Sequence, residues 1–155
     1  MRTAYKVLAY AIAVEVALQA AFAVWAIAGL GTWLMNGGVA DASLMESEAT
    51  PFPEVVGFML HGINGMMVLP LIALALLVLS FFTRQRRAIV AAAVVFGLVA
   101  LQITLGLGGH ALTALGALHG LNALVLFSAA LYAARGVTIA PRAGASVAER
   151  AATTV

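Results

Sequence analysis

The chain has 155 residues, 64% of them hydrophobic and 9% charged, against about 45–50% and about 25% in an ordinary soluble domain. This excludes a water-soluble globular domain, and a formal net charge of +2 from scattered sites gives no nucleic-acid footprint. There is no cysteine, so disulfides, thiolate metal sites and cysteine nucleophiles are excluded together.

Charged residues cut the chain into four apolar runs, each long enough to cross a hydrocarbon core of about 30 Å. The first covers about residues 7–34 and follows Arg2 and Lys6. Ala26-Ile27-Ala28 has the small-x-small pattern of a signal cleavage site, but the run is too long for a signal core and stays apolar beyond it, so it is expected to remain as a span. The 35–54 connection carries Asp41, Glu46, Glu48 and Glu54 without a single Lys or Arg. A second run, about 55–82, ends at Arg84, Arg86 and Arg87; a third, 88–109, is joined by a short Gly-rich turn to a fourth, about 114–134. Residues 137–155 lack a sustained apolar face and read as a disordered tail.

All eight basic residues fall on one side of this arrangement. Lys and Arg bias sets membrane orientation, so both termini and the 83–87 turn are expected in the cytoplasm and the 35–54 loop outside. The predicted fold is all-α: residues 1–136 as an integral membrane up-down-up-down four-helix bundle in a bacterial-type cytoplasmic membrane.

Two words recur. Val16-Ala17-Leu18-Gln19 in span one returns as Val99-Ala100-Leu101-Gln102 in span three, and Leu60-His61-Gly62-Ile63-Asn64-Gly65 returns as Leu118-His119-Gly120-Leu121-Asn122-Ala123 in span four. The chain therefore reads as two tandem hairpins related by an axis along the membrane normal, with His61 and His119 facing each other near the external ends.

An imidazole inside a span is a functional hypothesis by default. Two histidines without further donors suit zinc poorly, since it wants four, but suit bis-imidazole axial ligation of a heme b. Gly62, with Gly65 or Ala123 one turn further on, leaves backbone bare for a porphyrin; Gly106, Gly108, Gly109, Gly29 and Gly31 thin the other two helices. Asn64 and Asn122 are expected to orient an imidazole or to hydrogen-bond across the bundle. Depth counting competes with the repeat. His61 precedes Arg84 by 23 residues and His119 precedes Arg135 by 16, a difference of about 10 Å if the arginines are level. His110, 25 residues before Arg135, is thus the alternative ligand, and the repeat favours His119. Glu15, the carboxylate within a span, reads as an acid bonded to Gln19 or Gln102, with proton or quinone contact as the functional alternative. Met59, Met66 and Met67 read as packing, and Trp33 and Tyr5 as interface anchors.

The segment Val99-Ala-Leu-Gln102-Ile-Thr-Leu-Gly106, followed by Leu118-His119-Gly-Leu-Asn-Ala123, resembles one half of the heme A synthase family. The family has two similar four-helix bundles with paired histidines on the second and fourth helices of each, and its carboxy-terminal bundle holds a b-type heme. The resemblance implies His61 and His119 as heme ligands, with Gln102, Gly106 and Ala123 at matching positions. The chain is also similar to small four-span bacterial membrane proteins of single-bundle length. It departs from the family in span number and in the carboxylate three residues before the first histidine, where Phe58 stands, and in the basic residue after it, where Gly62 stands. Heme A synthesis is therefore not expected. The expected function is b-type heme binding for electron transfer or heme handling, with a quinone or respiratory redox protein as partner. The alternatives are a heme-free accessory subunit and, third, a heme- or quinone-oxidising enzyme acting as a homodimer.

Overall fold

The computed structural model describes residues 1–41 and 50–137. Four helices account for most of them: α1 (Arg2–Met35), α2 (Pro53–Phe82), α3 (Arg86–Gly108) and α4 (Thr113–Arg135). By length and composition, all four can cross a membrane. Their ends fall within a few residues of the expected spans; Glu46, Glu48 and the tail beyond 137 lie outside the described residues. Each helix packs on its neighbours in sequence, and α1 also packs on α4. The bundle is thus a square with α1 opposite α3 and α2 opposite α4.

Alanines take a large share of the core, among Tyr5, Ile12, Leu76 and Leu126, and large aliphatic side chains line the outside. Ala9, Ala73, Ala92, Ala130 and Ala134 are fully or almost fully buried, while Val14, Leu71, Val90 and Leu124 are more than half exposed. The apolar exterior fits a lipid surround, where large aliphatic side chains gain nothing from leaving the solvent. Close approach of small residues supplies the packing instead.

The buried positions repeat as the two words do. Tyr5, Ala9, Ile12 and Val16 on α1 and Ala88, Ala92, Val95 and Val99 on α3 are all buried, each pair 83 residues apart. On the other diagonal Leu69, Ala73, Leu76 and Ser80 match Leu126, Ala130, Ala133 and Val137 at 57 residues, also all buried. His61 and His119, like Asn64 and Asn122, are instead 58 apart. The first hairpin therefore holds one extra residue between its histidine and its core, and α2 absorbs it in a π turn over Asn64–Val68, flanked by α-helical Val56–Ile63 and Leu69–Phe82. A π turn takes in such a residue without breaking the helix. Pro70 stands two residues after its end; it has no N–H to offer the carbonyl of Met66, so the wider turn falls where regular α bonding is already interrupted. The matching stretch of α4 has no proline and is regular α-helix.

Helix ends are closed by local chemistry. Gly37, at φ +91°, ends α1 with Gly38 N–H donating to Trp33 O at 3.0 Å and Gly37 N–H to Leu34 O at 3.1 Å, the paired bonds that satisfy terminal carbonyls. At the end of α2, Thr83 Oγ1 donates to Ser80 O at 2.7 Å and Arg84 takes the left-handed conformation, φ 57°. Near the start of α2, a Cβ built on Gly57 would stand 2.6 Å from Phe22 O, so this glycine sets how closely α1 and α2 approach.

Candidate functional site

His61 on α2 and His119 on α4 come from opposite corners of the bundle, and their ring centroids lie 6.0 Å apart with planes inclined at 64°. Both side chains are half-buried. Each imidazole is held from behind by its own hairpin: His61 Nδ1 lies 3.0 Å from the carbonyl oxygen of Gln19, and His119 Nδ1 lies 2.9 Å from that of Gln102. A carbonyl oxygen only accepts, so each ring makes this bond as its Nδ1–H tautomer. In the neutral imidazole this leaves the Nε2 lone pair free, the state that binds metal.

The glutamine side chains then tie each histidine helix to its neighbour. Gln102 Nε2 donates to His119 O at 3.0 Å, and Asn122 Nδ2 donates both to Gln102 Oε1 at 2.5 Å and to Leu98 O at 3.0 Å. The first hairpin builds a similar lattice once the Gln19 amide is turned: Nε2 donates to His61 O at 2.9 Å and also lies 2.7 Å from His61 Nδ1, and the oxygen accepts from Asn64 Nδ2 and Gly65 N, both at 3.1 Å. The two recurring words are thus the two halves of one contact, made twice. Asn64 and Asn122 bond across to the neighbouring helix and not to an imidazole; the orienting groups are the main-chain carbonyls of Gln19 and Gln102.

The two halves differ at one acceptor. Where Asn122 uses the carbonyl of Leu98, Asn64 donates to the Glu15 carboxylate at 2.6 Å, and Glu15 and Leu98 occupy equivalent places 83 residues apart. The partner of Glu15 is therefore Asn64 and not the expected Gln19 or Gln102.

The glycines divide. Space around Gly62 and Gly120, the residues after the two histidines, is open to 4 Å. Gly106 backs His119: a Cβ there would stand 3.1 Å from its Cε1 and Nδ1. Gly65 faces the Gln19 amide, and Gly29 faces Glu54 on α2, so these two serve helix approach. Ala123 packs against the core. His110 is exposed in the turn after α3. Met59, Met66 and Met67 are more than half exposed, on the outer surface.

Depth counting assumed level arginines, and they are not level. Tyr5 donates its hydroxyl hydrogen to Ala88 O at 3.0 Å, joining α1 to α3. Gln19 follows Tyr5 by 14 residues and Gln102 follows Ala88 by 14, about 21 Å in each case. The glutamines are therefore level, and so are the histidines bonded to them; α4 stops sooner after its histidine than α2 does. Sequence reading missed the π turn, although its signal is present: Val68-Leu69 stands one residue further from His61 than Val125-Leu126 does from His119.

Among the described residues no group of three or more His, Asp or Glu side chains gathers to hold a metal ion. Comparison with protein-family models, with curated proteins and with solved structures gives no match to this chain.

Proposed function

We propose that this chain binds one heme b between His61 and His119 and serves electron transfer or heme handling in a cytoplasmic membrane, with both termini and the 83–87 turn inside. The observation that supports the reading is the duplicated contact of an imidazole Nδ1 with a glutamine carbonyl oxygen, which in the Nδ1–H tautomer would leave Nε2 of each ring to serve as a ligand. The two ring centroids stand 6.0 Å apart with planes inclined at 64°, so His61 and His119 are the side chains that would hold the iron. Gly62 and Gly120, the residues after the two histidines, are exposed and have no neighbour within 4 Å of a built Cβ. Bound there, heme supplies one-electron chemistry at iron. The protein orients the two rings through main-chain carbonyls, which cannot titrate or rotate away, and locks the helices by Gln–Asn pairs.

A heme-free accessory subunit is the second reading. It is favoured by one observation: among the described residues every buried side-chain nitrogen and oxygen already has a hydrogen-bond partner. Expression with added heme, followed by absorption spectroscopy in detergent, separates the two. The heme reading expects a Soret band with a reduced b-type α-band, abolished as low-spin heme by His61→Ala and by His119→Ala and kept by His110→Ala. A preparation without heme, or a spectrum indifferent to all three substitutions, leaves the accessory reading.

A further inference from the structure

At the arginine-bearing end of the bundle, α3 and α4 part to leave an outward-facing groove of about 570 Å³, walled by Val90, Val94 and Ala129 and rimmed by Arg86, Arg87 and Tyr132. A second recess of about 240 Å³ shares Arg87 and Tyr132 with it and brings in Arg135. From Arg87 to Val94 the apolar wall runs about 10 Å along α3 toward the bilayer centre. The lining holds three cations and no acid. Arg86, Arg87 and Arg135 are exposed, and none has an ion pair or hydrogen-bonded side-chain partner among the described residues. Val90, Val94 and Tyr132 are all more than half exposed, so the apolar wall is open to lipid.

Charge on the rim and hydrocarbon on the wall, in that order along the membrane normal, is the polarity of an anionic phospholipid. We propose that this groove binds one: its phosphate lies among Arg86, Arg87 and Arg135, and one acyl chain lies along Val90, Val94 and Ala129. Arginine suits the task, since its planar fork grips a phosphate through two N–H groups. The first-turn amides of α3 point to the same level, with no acidic side chain in that turn to occupy them. Tyr132 stands between the arginines and the apolar wall with its ring in contact range of both recesses, the place of an interfacial aromatic. A second groove, between α1 and α4, is lined by Tyr10, Val14, Leu18 and Phe127 among others, with no charged residue. It offers a chain-binding surface without a phosphate site and serves as the internal control.

Native mass spectrometry of the purified full chain, titrated with phosphatidylglycerol or phosphatidylcholine of the same acyl composition, tests the proposal. The expected result is a retained phosphatidylglycerol adduct, preferred over phosphatidylcholine, with the preference falling about fivefold for each of Arg86→Gln, Arg87→Gln and Arg135→Gln. Ala129→Phe, which fills the apolar wall and keeps every charge, abolishes the adduct, while Ala17→Phe in the control groove leaves it intact. Arg84→Gln, outside the groove lining, also leaves it intact. Equal retention of the two lipids, or a preference that survives all three arginine substitutions in one chain, overturns the proposal. Displacement of the lipid by millimolar inorganic phosphate alone would mean a phosphate site without an acyl groove, which also overturns it. Labelling of a cysteine at Gln85 in each variant shows that topology is kept. None of these readouts depends on heme.

Discussion

The hydroxyl of Tyr5 and the carbonyl oxygen of Ala88 meet 3.0 Å apart across 83 residues of chain, the same interval that separates Gln19 from Gln102 and each buried pair between them. The bond therefore joins equivalent points of the two hairpins, on opposite helices, and holds them at one level. It lies 14 residues below both glutamines, at the far end of the bundle from the histidines.

Tyr5→Phe removes this bond and nothing else. Ala88 O keeps its helical partner, so the cost is that of an average hydrogen bond inside a membrane protein, about 0.6 kcal/mol and at most about 1.7. The expected outcome is a slightly lower unfolding midpoint in detergent, with an unchanged heme spectrum. A lost Soret band in a well-folded Tyr5→Phe protein would show that the level of the two hairpins depends on this contact far more than on the helix lattice.

The π turn yields a sharper test. If Asn64–Val68 exists to absorb one residue, deleting Met66 gives the first hairpin the spacing of the second, with regular α-helix and both registers kept. The deleted chain should fold, and His61 should still meet His119. Deleting Leu124 from the matching stretch of α4 has no π turn to draw on, so it rotates His119 about 100° away from His61. Heme retention in the Met66 deletion and its loss in the Leu124 deletion is the expected pair; the opposite pair would contradict the register assignment.

Gly106 tests how firmly a ligand is backed. A methyl group there stands 3.1 Å from His119 Cε1 and Nδ1, so Gly106→Ala must push the ring by a few tenths of an ångström and lengthen its bond to Gln102 O. Electron paramagnetic resonance of the oxidised protein should report altered low-spin g values. Gly62→Ala and Gly120→Ala meet open space and should gain up to about 1 kcal/mol from helix propensity, with heme retained unless the porphyrin lies directly over them. Identical g values in Gly106→Ala and the parent would remove Gly106 from the site.

The four helices and the His pair were legible from composition and from two repeated words, because a membrane helix shows itself by length and a duplicated polar motif stands out in an apolar chain. The contact between the words was not legible. It runs through the backbone carbonyls of Gln19 and Gln102, and every residue carries a carbonyl, so no residue type marks it. The polar partner of Glu15 was misjudged for a related reason: helical spacing sets Glu15 and Gln19 on one face, whereas the bond is made to Asn64 on the next helix. Gly29 and Gly65 looked like room for a ligand, since sequence cannot distinguish a glycine facing a cofactor from one facing Glu54 or a glutamine amide.

Orientation is tested apart from any cofactor. Arg2, Lys6, Arg84, Arg86, Arg87 and Arg135, the basic residues among those described, lie at one end of the bundle, so cysteines placed at Asn36 and Gln85 should react with an impermeant maleimide from opposite faces of intact cells. Labelling of Gln85 from outside would invert the bundle and move the histidine pair to the cytoplasmic half of the membrane.

Glu15 supplies the last test, because the second hairpin shows what its absence looks like. At the equivalent position Leu98 offers only its main-chain carbonyl, and Asn122 takes that oxygen together with Gln102 Oε1. By the equivalence of the two hairpins, Asn64 is expected to turn to the Glu15 main-chain carbonyl beside the Gln19 amide oxygen, which lies 3.1 Å away with the amide turned. Glu15→Leu should therefore cost less than about 1 kcal/mol, the worth of one replaced hydrogen bond, and leave the heme spectrum and midpoint potential unchanged. If the carboxylate exchanges a proton with the redox centre through Asn64 and Gln19, the parent potential will instead vary with pH and that variation will vanish in both Glu15→Leu and Glu15→Gln. Glu15→Gln keeps an acceptor for Asn64, so loss of the pH dependence in that variant, with stability preserved, would assign the carboxylate a proton-bearing role and not merely a packing one.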